Sequence, residues 1–277
     1  MPGSRPWGGG YVTPGSAPLP NSLLHSPTMI TPAAQLGYYH GAERLRYVGS
    51  WAIGALATIV LGALGAVVSV AAAHSSAAQA CARFRGRTLL WINGIVVESE
   101  GSEHLDADAA YVFVANHQST LDTLALLVAL PLPFRSLAKT SLFRIPLVGW
   151  TIRRLGYVPD DLGANDSIAN VLSTSRQRSA RPISTVVFAE GARTAEGEVA
   201  RFRSGFVYLA RAVGVPIVPV ALVNSGHLMP SGRRFADPGS IQVRIGAPMH
   251  ADPEVAASDI AATARAAVTE LMKATAP

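Results

Sequence analysis

The chain has a single cysteine, Cys81, among its 277 residues, which excludes an intrachain disulfide and is compatible with a reducing compartment. No Cys/His cluster has the spacing of zinc ligands, so the sequence points to neither a structural metal nor a cofactor. No GxSxG segment is present, which removes the nucleophile elbow of a serine hydrolase. Lysine is reduced to Lys139 and Lys273, with arginine carrying the rest of the positive charge. The N-terminus lacks the charged start and adjoining apolar core of a secretory signal. Nucleic acid as a partner rests on net charge alone, because interleaved aromatics and a recognisable binding module are both missing.

What is present is apolar and basic. A 49% apolar content and a mean hydropathy of +0.28 exceed those of an ordinary soluble protein. A net charge of +5 favours anionic partners such as phospholipid surfaces or phosphorylated small molecules. Residues 1–42, crowded with Pro, Gly and Ser and without apolar period, read as a disordered tail. Residues 43–83 read as a membrane-anchoring helical segment around the uncharged run "WAIGALATIVLGALGAVVSVAAA", Trp51 to Ala73. A bilayer core needs roughly 20 apolar residues, so this run is long enough to span or dip into one. Arginines flank the run on both sides, and the larger cluster, Arg83, Arg85 and Arg87 against Arg44 and Arg46, favours a main domain, residues 84–277, on the cytoplasmic side of the cell membrane.

Beyond residue 88, short β-rich runs alternate with helical stretches. The expected strands are "LLWINGIVVE", "AAYVFVAN", "RSLAK", "ISTVVFAE", "VPIVPVALVN" and "IQVRIG". The expected helices are "STLDTLALLVAL", "IPLVGWTIRRLG", "NDSIANVLSTSRQ", "RSGFVYLARAVG" and "PEVAASDIAATARAAVTELMKA". This alternation predicts an α/β fold with a largely parallel central sheet flanked by helices, preceded by the N-terminal membrane helix. Functional residues in such sheets lie at the carboxyl ends of strands.

Two segments occupy such ends. In "VFVANHQSTLD", residues 112–122, His117 and Asp122 are five positions apart. Inside one regular helix they would be rotated about 140° from each other and could not meet. With Asn116 and His117 in the turn and Ser119 capping a helix that starts at Thr120, His117 can fold back onto Asp122. A carboxylate on one imidazole nitrogen fixes the tautomer and leaves the other free to accept a proton. The alternative is a polar turn in which Asp122 only complements the helix dipole. The second segment is "VVFAEGART", residues 186–194. Here Gly191 permits a tight turn, Arg193 offers an anion site, and Glu190 is placed to position Arg193 or bind a hydroxyl.

"NHQSTLD" (116–122) and "FAEGAR" (188–193), together with "KTSLFRIPLVGW" (139–150) and "VPIVPVAL" (215–222), resemble in order and spacing the four motifs of the 1-acylglycerol-3-phosphate acyltransferases and the wider glycerolipid acyltransferase superfamily. The resemblance covers about residues 110–225. It implies that His117 is the general base, oriented by Asp122, for direct attack of a lysophospholipid hydroxyl on an acyl thioester. The donor would be acyl-CoA or acyl-carrier protein, acting as substrate. It also implies that Glu190, Gly191, Arg193 and Lys139 bind the acceptor's glycerol phosphate, and that the product is phosphatidic acid. "VPIVPVAL" reads as core. "SLFRIPLVGW" suits either a membrane-facing lip or a core helix.

The departures are Ala189 and Ala192, where the family has Pro and Thr, and "GYVPDD" (156–161), where relatives carry an arginine. Two acids there disfavour a phosphate unless Arg153 and Arg154 compensate. A sibling activity on another lysolipid or lyso-aminolipid therefore stays open. So does a catalytically silent, membrane-anchored lipid-binding protein, although such a protein needs no oriented imidazole.

Overall fold

A computed structural model describes residues 49, 53, 56, 60, 76–138, 140–145, 149–150, 158–159, 183–233 and 235–274. The 1–42 tail, Lys139, the "NDSIANVLSTSRQ" segment, Arg153, Arg154 and the acidic pair Asp160 and Asp161 lie outside the described residues. Of the expected membrane run, only Ile53, Leu56 and Val60 fall among them; all three are helical and exposed. Among the described residues no helix is long and apolar enough to cross a membrane.

The helices are α1 (Ser76–Ile92), α2 (Leu121–Ala129), α3 (Gly205–Val213), α4 (Ser225–Leu228) and α5 (Ala257–Lys273). The strands are β1 (Ile95–Glu100), β2 (Val112–Ala115), β3 (Phe134–Ala138), β4 (Val158–Pro159), β5 (Ser184–Phe188), β6 (Ile217–Val223) and β7 (Gly239–Ile245). They form one sheet in the order β1-β7-β6-β2-β5-β3-β4, in which every neighbouring pair is parallel except β6 and β7.

The expected strand "LLWINGIVVE" is corrected in its first half. Leu89 to Ile92 are the last turn of α1, and β1 begins only at Ile95. Gly94, at φ +67°, ends the helix with its N–H on the Trp91 carbonyl, while Asn93 Nδ2 donates to the Leu89 carbonyl. A left-handed residue at this position is the commonest way to stop a helix, and Gly adopts it without a Cβ clash. α1 also runs through residues 83 and 84, where the sequence put the boundary between anchor and domain. It is tied to the rest at that point: Arg83 Nη2 donates to the Leu130 and Pro131 carbonyls at 2.6 and 2.5 Å. One turn on, a Cβ at Gly86 would come within 3.3 Å of Leu127, so the glycine sets how closely α1 approaches α2.

β2 is buried on both faces, and its side chains divide by the two-residue period of a strand. Phe113 and Ala115 join Leu121, Ala125 and Leu126 of α2 on one side. Val112 and Val114 join Phe206 and Val207 of α3 and Ile260, Ala264 and Val268 of α5 on the other. This is a helix–sheet–helix sandwich. "VPIVPVAL" supplies β6, buried throughout apart from its last residue, in keeping with its reading as core. In "SLFRIPLVGW", Thr140–Arg144 is a short 3-10 turn with Phe143 buried, whereas Ile145 and Trp150 are exposed.

Candidate active site

β2 and β5 are parallel neighbours with Ala115 opposite Phe188, so the chain leaves both strands at the same edge of the sheet. The helix that follows β2 packs on one face and the helix that follows β5 packs on the other. The two exits therefore diverge at the carboxyl ends of the strands, the usual ligand position in an α/β sheet. Both segments singled out above lie here.

Asn116 continues β2 with its side chain. Its Nδ2 donates to the Leu222 carbonyl and its Oδ1 accepts the Leu222 N–H, both at 2.8 Å, and the residue is wholly buried. The carboxamide does for β6 what another peptide unit would have done, which frees the backbone to turn. His117 follows and is held on every side. Its N–H donates to Glu190 Oε1 at 3.0 Å, its carbonyl accepts the Thr194 N–H at 2.9 Å, and its ring stacks on Phe188 with centroids 4.0 Å apart.

His117 Nδ1 meets Asp122 Oδ2 at 2.8 Å. The same oxygen accepts the N–H groups of Gln118 at 2.7 Å and Ser119 at 2.8 Å. The five-residue spacing works because α2 begins at Leu121, putting Asp122 in the first helical turn with its carboxylate directed back over the loop. The helix thus starts one residue later than the expected Thr120, while the expected cap by Ser119 is present. The loop N–H groups go to Asp122, whereas Ser119 Oγ accepts from Leu121 N–H at 3.2 Å and donates to the Met229 carbonyl. Since a carboxylate can only accept, His117 carries its proton on Nδ1. Nε2 is left as an acceptor without a hydrogen bond among the described residues, on a side chain that is 20% exposed.

Glu190 is buried, and both of its oxygens are engaged by backbone donors, the His117 N–H and, at 3.2 Å, the Ala200 N–H. It makes no ion pair with Arg193, contrary to one of the two roles expected for it. Arg193 is exposed and, among the described residues, has no protein partner. Gly191 sits at φ +77°, the left-handed conformation that the tight turn requires.

Residues 190–203 are further tied down by groups the sequence did not single out. Gln118 Nε2 donates to the Ala195 and Glu198 carbonyls at 3.1 Å each, and Thr194 Oγ1 donates to the Glu198 carbonyl at 2.9 Å. Glu196 accepts the N–H groups of Asn224 and His227, and Arg265 of α5 donates to the Val199 and Ala200 carbonyls. Gln118 lies within a motif, yet its partners are some 77 to 80 residues away, so no local signal reveals them. Among the described residues no group of three or more His, Cys, Asp and Glu side chains could hold a metal ion.

Residues 96–223 match the family model described as acyltransferase. The chain is 33% identical over 156 residues to a chloroplastic 1-acyl-sn-glycerol-3-phosphate acyltransferase of Arabidopsis thaliana, covering 56% of this chain and 44% of that protein. It is 36% identical over 145 residues to a 1-acyl-sn-glycerol-3-phosphate acyltransferase of Chlamydomonas reinhardtii, covering 52% and 43%. To the alpha form from Mus musculus it is 30% identical over 161 residues, covering 57% and 56%. The crystal structure of the 1-acyl-sn-glycerophosphate (LPA) acyltransferase of Thermotoga maritima superposes with a TM-score of 0.68 at 24% identity, covering 83% of this chain and 95% of that one; it shares the fold. The chain thus spans less than half the length of the two plastid and algal relatives.

Proposed function

From a chain that belongs to the acyltransferase family, through its residues 96–223, we propose an enzyme that moves a fatty acyl group from an acyl thioester to the free sn-2 hydroxyl of 1-acylglycerol 3-phosphate, forming phosphatidic acid. The observation that carries this reading is the His117 Nδ1–Asp122 Oδ2 contact of 2.8 Å, beside the turn that bears Gly191 and Arg193.

In the proposed reaction His117 Nε2 takes the proton of the acceptor hydroxyl as its oxygen attacks the thioester carbonyl. The imidazolium that results is stabilised by Asp122. Collapse of the tetrahedral adduct breaks the C–S bond, His117 Nε2 returns the proton to the sulfur, and ester and free thiol leave without an acyl-enzyme. Arg193, without a protein partner among the described residues, holds the acceptor's phosphate, and Lys139 adds positive charge. Glu190 acts through His117, whose backbone it holds.

A membrane location fits this substrate and the surface of α1, where Phe84, Arg87 and Trp91 recur at helical spacing on an exposed face. Residues 51–73 would keep the domain at the bilayer that supplies lysolipid. The donor in this reading is acyl-CoA or acyl-carrier protein.

The test is thiol release by the detergent-solubilised protein from oleoyl-CoA, with lysophosphatidic acid, lysophosphatidylcholine, glycerol 3-phosphate and a lyso-aminolipid as acceptors, and a His117→Ala control. Release that requires lysophosphatidic acid and His117 is expected. Release only with another acceptor would shift the assignment to a sibling activity, the reading that Asp160 and Asp161 favour. Silence with both CoA and carrier-protein donors would leave a lipid-binding protein.

A further inference from the structure

Arg203 stands immediately before Ser204, the residue that precedes α3, and its backbone N–H donates to the Ala189 carbonyl at 2.8 Å. That bond brings it back to the turn at the end of β5. Its guanidinium lies directly over Gly191: a Cβ built on the glycine would fall 2.6 Å from Arg203 Cζ, 2.8 Å from Nε and 2.9 Å from Nη2. The residue is exposed, and among the described residues no carboxylate or carbonyl engages its side chain.

This is a poor place for an unpaired cation on grounds of stability. The N-terminus of a helix carries roughly half a positive charge, which favours anions and repels cations. α3 has no acidic residue in its first turn, and Ser204 makes no side-chain cap. Arg201, two residues earlier, is likewise exposed and without a protein partner among the described residues. Positive charge therefore gathers beside Gly191, from the guanidinium of Arg203 and the helix terminus behind it, with exposed Arg193 two residues beyond, while the carboxylate of Glu190 is turned to the His117 and Ala200 N–H groups and does not engage Arg203.

We infer that Arg203 is a phosphate ligand of the active site, its guanidinium held against Gly191 so that it and Arg193 grip one substrate phosphate from the two ends of the β5 loop. This deepens the function proposed above and rests on it. Phosphate is carried by the acceptor, as the monoester of lysophosphatidic acid, and by the donor, on the nucleotide of CoA; the chemistry is shared, and the experiment separates the two sources. A planar five-donor fork suits bidentate phosphate recognition, and Gly191 is the one residue that leaves room for it.

The experiment compares Arg203→Ala and Arg203→Lys with the wild-type protein in steady-state kinetics. The acceptors are lysophosphatidic acid and uncharged monooleoylglycerol; the donors are oleoyl-CoA and oleoyl-pantetheine, which lacks the nucleotide. Arg203→Ala is expected to raise one KM about tenfold, the loss typical of a charge-assisted hydrogen bond, with a much smaller change in kcat and partial recovery in Arg203→Lys. A rise confined to lysophosphatidic acid assigns the acceptor phosphate; a rise confined to oleoyl-CoA and relieved with oleoyl-pantetheine assigns the donor. In parallel, phenylglyoxal modification of Arg203 in the wild-type protein is followed by peptide mass spectrometry, with lysophosphatidic acid, CoA or monooleoylglycerol present. Protection several-fold greater by one of the two phosphate compounds than by monooleoylglycerol is expected. This readout needs no turnover, so it stands if the proposed reaction fails. Unchanged KM values with no selective protection, or equal losses with charged and uncharged substrates, would overturn the inference.

Discussion

The buried carboxylate of Glu190 accepts the backbone N–H of His117 at 3.0 Å, joining two motifs that stand 73 residues apart in the chain. Its other oxygen takes the Ala200 N–H. A residue expected to face substrate thus positions the imidazole and closes the loop that carries Arg193.

Glu190→Gln keeps the shape but offers an amide NH2 where one of the two N–H donors points. The expected outcome is a kcat reduced roughly 10- to 100-fold through misplacement of a catalytic group, with the KM for lysophosphatidic acid little changed. Steady-state kinetics checks this. A KM effect without a kcat effect would restore direct substrate contact by Glu190.

Asp122→Asn removes the acceptor that serves three donors at once. The amide can turn its oxygen to the loop N–H groups or to His117, but as a neutral group it no longer stabilises the imidazolium. Thiol release is expected to fall on the order of 10²- to 10⁴-fold. Because the two residues act as a unit, His117→Ala combined with Asp122→Asn should be scarcely worse than His117→Ala alone. Multiplicative losses in the double variant would mean that Asp122 works independently of His117.

Asn116→Ala leaves the buried N–H and carbonyl of Leu222 without partners at the end of β6. A buried unsatisfied group costs about 1–3 kcal/mol. Urea unfolding should therefore show a clear loss of stability accompanying a loss of activity. Unaltered stability would mean that water or a neighbouring group replaces the carboxamide.

Gly191→Ala forces a Cβ onto a residue at φ +77° and into the Arg203 guanidinium. The left-handed conformation alone costs about 1–2 kcal/mol for a residue with a Cβ. The variant is expected to weaken binding of whichever substrate depends on Arg203, and to do so little further once Arg203 is already Ala. Additivity of the two substitutions, measured as KM in a double-mutant cycle, would separate the glycine's role from that of the arginine.

The sequence by itself determined the α/β class, because strand and helix periodicities are local, and most element positions followed from it. It also made the His117–Asp122 pairing legible, since both groups belong to one short turn, although Leu222, Glu190 and Phe188 complete the hold on that turn. It misplaced the end of α1, because the apolar residues Leu89 to Ile92 fit a buried strand as well as a helical turn, and the stop signal lay in Gly94. Only the tertiary structure decided that β2 and β5 are neighbours. Parallel strands are joined by long crossovers, and nothing local to either one specifies which other strand it will pair with. From that pairing comes the grip of Glu190 on His117, and from the pairing of β2 with β6 on its other side comes the Asn116 bridge to Leu222. Each is a contact whose partners are chosen by the packing of the sheet and by the loops leaving its carboxyl edge.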